Sequence, residues 1–155
     1  MGRYEVAGAE HRSAKEALAE LRDLARGIHP TVLDRGLPSA LAVLAEASAV
    51  PAAATVDMAH RPSPAIEAIA YYCAAELLAN VTKHAGAGRA SISVREVDGR
   101  LVMRVTDDGV GAAQLKPGGG LAGLNDRVQT VDGRLSLQSP PGGPTVVTVE
   151  LPVRA

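Results

Sequence analysis

Phenylalanine and tryptophan are missing from this chain, and three tyrosines, Tyr4, Tyr71 and Tyr72, are its whole aromatic complement. The core must therefore be aliphatic, built from Val, Leu, Ile and much Ala. Single-stranded nucleic acid is usually gripped by stacking bases on aromatic rings, and few rings are on offer. A net charge of -1 gives no basic footprint for a phosphate backbone either. Together these point away from nucleic acid. Cysteine is nearly absent too. Cys73 stands alone, which excludes an internal disulfide framework and a cysteine-based zinc site. The start, Met1-Gly2-Arg3-Tyr4-Glu5, has no apolar h-region of a signal peptide. No apolar run approaches the roughly 18 residues of a membrane span. The longest, Ala68 to Ala79, is broken by Glu76. The expectation is a soluble cytoplasmic polypeptide.

What is present suits a packed domain. The chain is 46% hydrophobic and 21% charged, so disorder is not expected from composition. Its 155 residues fit one domain plus a short appendage. Residues 9–28 read as a helix, with Ala14, Leu18, Leu21, Ala25 and Ile28 forming a short heptad seam. Pro30 ends it, because proline disfavours helical geometry at the residue before it. A second helix is expected over residues 38–47, with Pro38 in its first turn. Residues 53–58 suit an edge strand. Ser63 and Pro64 look like the N-cap and first position of a helix running to about Ala85. Strands follow at 91–97 and 100–107, joined by the hairpin signal Asp98-Gly99. A Gly-rich loop, 109–120, leads to a helix over 121–131. Asp132-Gly133 and Pro140-Pro141-Gly142-Gly143-Pro144 then bracket strands at 134–139 and 145–152. This order is that of an α+β fold, a two-layer α/β sandwich with helices on one face of a mixed, mostly antiparallel sheet.

Three constellations carry chemistry. In the strand 100–107, Leu101, Met103, Val105 and Asp107 share a parity, which turns the carboxylate toward the core. A buried carboxylate needs donors. Gly109 and Gly111 let the backbone approach a ligand closely. An acceptor in a Gly-lined pocket suits a planar ligand with an amino group, such as adenine. Read alone, the segment is more readily a turn capped by Asp, since Asp-Gly is a common turn dipeptide. In the helix from Pro64, Ile66, Cys73 and Leu77 make an apolar stripe. Glu76, Asn80, Lys83 and His84 fall beside that stripe, where a solvated edge would be the plain alternative. Asn can offer an oxygen to Mg²⁺, Lys and His can meet phosphates, and Glu can orient or deprotonate a nucleophile. Finally, Pro117-Gly118-Gly119-Gly120-Leu121-Ala122-Gly123-Leu124 opens a helix whose free N–H groups form an anion site. It is neither a Walker A loop nor a convincing dinucleotide fingerprint. A flexible linker is the alternative, although Leu121 and Leu124 favour a loop that packs down. Cys73 reads as core. His11 and His60 have no partner close in sequence.

Taken together, the segments resemble the catalytic domain of sensor histidine kinases, within the superfamily that includes gyrase and mismatch-repair ATPases. Glu76-Leu77-Leu78-Ala79-Asn80-Val81-Thr82-Lys83-His84-Ala85 resembles the family's N box. Asp107-Asp108-Gly109-Val110-Gly111 resembles its G1 box, and Gly118 to Leu124 its G2 box. Gly142 to Pro152 resembles the closing Gly-Thr strand, with Pro144 where the family usually has Gly. The similarity is nearest to the nitrate-sensor-like subfamily. Leu21 to Leu33 and Gly36 to Leu41 resemble the end of its dimerisation hairpin and the connector. The resemblance implies the histidine kinase ATPase fold, with residues 1–50 as the end of the dimerisation helix and connector, and 51–155 as the ATP-binding catalytic domain.

That resemblance also implies roles. ATP and Mg²⁺ would be the cofactors. Asp107 would accept the adenine amino group, within a pocket formed with Gly109, Gly111 and Thr145. Asn80 would hold Mg²⁺, and Lys83 and His84 would meet phosphates. Gly118, Gly120, Leu121, Ala122 and Gly123 would form a mobile lid. Glu76 would activate the attacking histidine. The family carries that histidine on the preceding helix in a motif near Glu-Leu-His-Asp, which this sequence lacks. His29, before Pro30, sits in the connector and is not expected to be the phosphoacceptor. Partners would then be the phosphoacceptor helix of a parent kinase, homodimeric at full length, and a response regulator. The alternative within the superfamily is an anti-sigma-factor-like serine kinase that grips a partner protein, which the seam and the His29-Pro30 connector disfavour.

Overall fold

The computed structural model describes residues 30–115 and 118–154. The expected helix over 9–28, its seam, His11, His29 and Pro117 lie outside the described residues. A short 3₁₀ turn, Thr31–Leu33, leads through Gly36 into helix α1, Leu37–Glu46, with proline in its first turn as expected. Strand β1 is Ala52–Asp57 and helix α2 is Pro64–Asn80. A π-helical turn, Val81–Ala85, continues α2. Strands β2, Ala90–Val97, and β3, Arg100–Asp107, form a hairpin. Its two turn residues, Asp98 and Gly99, have φ of 51° and 76°, the positive pair a tight hairpin turn requires. Helix α3, Gly120–Gln129, precedes β4, Arg134–Gln138, and β5, Thr145–Pro152.

The sheet order is β1-β2-β3-β5-β4. β1 pairs with β2 in parallel across the α2 crossover, and all other pairs are antiparallel. The mixed, mostly antiparallel sheet with β1 at its edge is as expected. Strict alternation packs one face: Ile92, Val94, Leu101, Met103, Val105, Val147, Val149 and Leu151 are all buried. Each such side chain contributes about 1.5–3 kcal/mol of hydrophobic stabilisation. The core runs on without a break through Leu33, Leu37, Ala40 and Leu41, so the 3₁₀ turn and α1 pack with the sheet.

Helix α2 departs from the sequence reading in three ways. Its buried surface is broader than the stripe of Ile66, Cys73 and Leu77. Ala68, Ile69, Ala70, Ala74 and Leu78 are buried as well. Alanine's small side chain lets α1 pack close, so a face that reads as neutral becomes interior. Ser63 holds the N-cap position but makes no capping bond, and its hydroxyl is buried without a partner. Finally, regular α geometry stops at Asn80. The Thr82 hydroxyl donates to the Leu78 carbonyl at 3.2 Å, a back-bond that competes with the regular ladder. Glu67, which the sequence reading passed over, is only 1% exposed and pairs bidentately with Arg61. The same guanidinium donates to the Leu33 carbonyl, tying the 3₁₀ turn to α2.

Candidate functional site

One row of residues crosses the end of the sheet on its core-facing side. Ala52 pairs with Ala90, Ala90 with Asp107, and Asp107 with Thr145. The row inside it is apolar, with Ile92, Val105, Val147 and Leu137 as successive neighbours. A polar edge over an apolar floor results from alternation alone. Asp107 is 5% exposed and Thr145 9% exposed. The inward carboxylate is thus as the parity of β3 predicted. Asp107 Oδ1 accepts the Gly109 N–H at 2.8 Å. Among the described residues this is the only hydrogen bond shown for that carboxylate, and Oδ2 is left to accept from a ligand. Asp108 points to the other side, where its Oδ1 accepts the N–H groups of Gly88 and Arg89, both at 2.9 Å. Adjacent carboxylates therefore do separate work, and Asp108 fastens the loop that follows the π turn.

Two glycine loops meet above this row. The Gly142 N–H donates to the Val110 carbonyl at 2.8 Å, and the Ala112 N–H to the Ser139 carbonyl at 3.0 Å. Gly111, at φ 70°, lies so close that a Cβ there would collide with the Pro140 carbonyl and the Gly143 backbone. The peptide bond before Pro144 is cis, and Thr145 faces the cavity beside Asp107.

The cavity has a volume of about 550 Å³. Asn80, His84, Asp107, Gly111, Gly120, Leu121 and Thr145, all singled out from sequence, line it. Glu76, Lys83, Gly109, Gly118, Ala122 and Gly123 do not. Gly109 is buried behind Asp107, while Lys83, Gly118 and Gly123 are exposed. The spacing argument that placed Lys83 and His84 beside the α2 stripe assumed regular α geometry, and the π turn re-aims both. Both are exposed. Sequence reasoning passed over the walls, Leu77, Val81, Val105 and Val147, although the parity of Val105 and Val147 with Asp107 and Thr145 carried that signal. It also passed over Ser139. A second hollow of about 480 Å³ adjoins Asp107 but takes in the outward-facing Ala53, Ser91 and Thr106, and of the other motif residues only Asp108 and Pro144.

Helix α3 closes the far side. Leu124 is buried and Leu121 half-buried, so the loop packs down as expected rather than forming a linker. The Gly123 N–H is the first to bond within the helix, to the Gly119 carbonyl. Among the described residues the N–H groups before it have no backbone acceptor, which suits an anion. The Arg127 guanidinium lies 5.4 Å from the Tyr72 ring centre, which holds α3 against α2. Cys73 is core, and burial pushes its thiol up to about 12. His60 finds a partner far off in sequence, its Nδ1 lying 2.8 Å from Glu96 Oε2.

Residues 66–155 match the model of the histidine kinase-, DNA gyrase B- and HSP90-like ATPases. The chain belongs to that family. It is 35% identical over 150 residues to the sensor histidine kinase NarS of Mycobacterium tuberculosis, an alignment spanning 90% of this chain and 35% of that protein. A blue-light-activated histidine kinase from Erythrobacter litoralis superposes with a TM-score of 0.65 at 20% identity, over 94% of this chain and 50% of that one. The ATP-binding domain of PrrB from Mycobacterium tuberculosis does so with a TM-score of 0.54 at 21% identity, over 72% and 90%. This chain spans 35% and 38% of the length of two curated relatives it matches, NarS and YvfT of Bacillus subtilis. It is an ATP-binding domain of the kind those sensor kinases carry. No described helix is long and apolar enough to cross a membrane.

Proposed function

We propose that this chain is the catalytic domain of a two-component sensor histidine kinase, which passes the γ-phosphoryl group of ATP to a histidine on a dimerisation helix. The observation that carries this reading is the Asp107–Thr145 row above the Val105–Val147 floor. Its apolar floor suits the face of a base, and Asp107 Oδ2 suits the adenine amino group. Guanine would present a carbonyl oxygen to the same carboxylate, so two acceptors would meet and the site would reject it.

The remaining roles follow the geometry outward from the base. His84 and Lys83, on the π turn, meet the phosphates. Gly118 to Gly123 covers them, with the free N–H groups of α3 facing the charge. Asn80, half-buried at the junction of α2 and the π turn, offers a neutral amide oxygen to Mg²⁺. No group of three His, Cys, Asp or Glu able to cage a metal occurs among the described residues. That fits Mg²⁺, which keeps waters and takes phosphate oxygens. When bound, the ion neutralises charge on the β- and γ-phosphates. Glu76, one turn before Asn80, orients or deprotonates the incoming histidine. Phosphoryl transfer asks mainly for positioning and charge stabilisation, which this set supplies.

Calorimetric titration of the chain with Mg-ADP tests the reading. Binding in the micromolar to millimolar range, strongly weakened in Asp107→Asn, is expected. A flat titration of the wild type at millimolar nucleotide would sink it.

A further inference from the structure

We propose that Ser139 is a positioning residue of the nucleotide site. Its hydroxyl ties the cavity wall to the pair that reads the base. This rests on the nucleotide-binding reading above. Leu135 and Leu137 of β4 face the core, and Ser139 continues their parity past the end of the strand. The β4–β5 register, in which Gln138 pairs with Val146, sets Ser139 opposite Thr145. Ser139 therefore extends the polar row to three, Asp107, Thr145 and Ser139.

Its bonds run in two directions. Ser139 Oγ accepts the Ala113 N–H at 2.9 Å and lies 2.7 Å from Thr145 Oγ1. Ala112, Ala113 and Gln114 are the wall of the cavity and the root of the Gly-rich loop. Either hydroxyl of that pair can donate; in the proposed arrangement Ser139 accepts the Ala113 N–H and donates its own hydrogen to Thr145 Oγ1. The Thr145 hydrogen is then left to point into the cavity. Such a chain of hydrogen bonds is mutually polarising. It presents a donor at Thr145 beside the acceptor at Asp107. A purine edge carrying an amino group next to a bare ring nitrogen complements both, and the edge of guanine opposes both. Settling of the base also settles the wall, because one hydroxyl serves the two.

The test is Mg-ADP titration of the whole chain as Ser139→Ala, Ser139→Thr, Thr145→Val and the Ser139→Ala/Thr145→Val double variant. Ser139→Ala should bind about tenfold more weakly, and Ser139→Thr should restore affinity to within about twofold, since it returns the hydroxyl. The double variant should be no weaker than Thr145→Val alone, the non-additivity expected of one chain of bonds. Wild-type affinity in Ser139→Ala, or losses that multiply in the double variant, would overturn the assignment while leaving the nucleotide site standing. No wild-type binding would overturn both. Hydrogen exchange at the Ala113 amide covers the case in which Ser139→Ala fails to fold. Mg-ADP should slow that exchange in the wild type and not in Thr145→Val. An unchanged rate in nucleotide-bound wild type counts against the coupling.

Discussion

The two ends of the cavity are built differently. At the end proposed to bind the base, Asp107 and Thr145 sit on paired strands with Ser139 one residue past β4, and each is held by a hydrogen bond within the protein. At the end proposed to meet the phosphates, Lys83 and His84 are exposed on a π turn, and Gly118, Gly120 and Gly123 have open space where a side chain would go. A β-ladder fixes each residue from two neighbours, whereas a helix terminus leaves backbone groups without partners. The first end is preorganised. The second, in the proposed function, would be completed by the ligand's own charge. On that proposal, base recognition and phosphate handling are separable by substitution.

The largest effect is expected where the two glycine loops interlock. Gly111→Ala places a methyl group into the Pro140 carbonyl at a positive φ. Overpacking and backbone strain together should cost roughly 3 kcal/mol of stability. Gly118 also has positive φ, at 78°, but open space around it. Gly118→Ala should cost only about 1 kcal/mol, the backbone contribution alone. Urea unfolding of both variants measures the contrast. Equal losses would mean that the two loops are equally loose, and the comparison would fail.

Next comes Asp107→Asn. It keeps an oxygen for the Gly109 N–H but removes the charge offered to an amino group. A hydrogen bond to a charged group contributes about 2 kcal/mol, so Mg-ADP affinity should fall by roughly 30-fold. Lys83→Ala probes the other end and should do less, roughly fivefold at low salt and less at high salt, because an exposed charge is screened. Adenosine, which lacks phosphates, should bind Lys83→Ala as it binds the wild type. Loss of adenosine binding in that variant would merge the two ends into one.

How much of this was legible in the sequence follows the same division. Period-two alternation is a strong signal, so the parity of Leu101, Met103, Val105 and Asp107 located the carboxylate, and β3 and β5 fell where the pattern put them. The helix-borne residues were read less well. Thr82, bonded back to Leu78, accompanies a π turn that spacing at 100° per residue cannot foresee, and Lys83 and His84 moved with it. Glu67 was missed because its partner Arg61 precedes the helix and the Leu33 carbonyl comes from a distant turn. Ser139 was missed because its meaning depends on the β4–β5 register, which no single strand encodes. Contacts made across the sheet are invisible until the pairing is known.

The far end of the sheet provides the smallest effect and the control for the rest. His60, past the C-terminal end of β1, pairs with Glu96 near the C-terminal end of β2, away from the Asp107 row. The hydrogen bond from His60 holds the Glu96 carboxyl below its ordinary value. A carboxylate lowered in the folded state adds stability above its unfolded value, and that contribution disappears as the pH falls through the folded one. Glu96→Gln should therefore lower the thermal midpoint slightly near neutral pH and narrow its gap to the wild type in acid. The effect should be small, because His60 is exposed and water screens the pair. Mg-ADP affinity near neutral pH should be the same in Glu96→Gln and wild type. A changed affinity would show that the sheet transmits strain from end to end, and the base-binding end could then no longer be treated as a fixed frame.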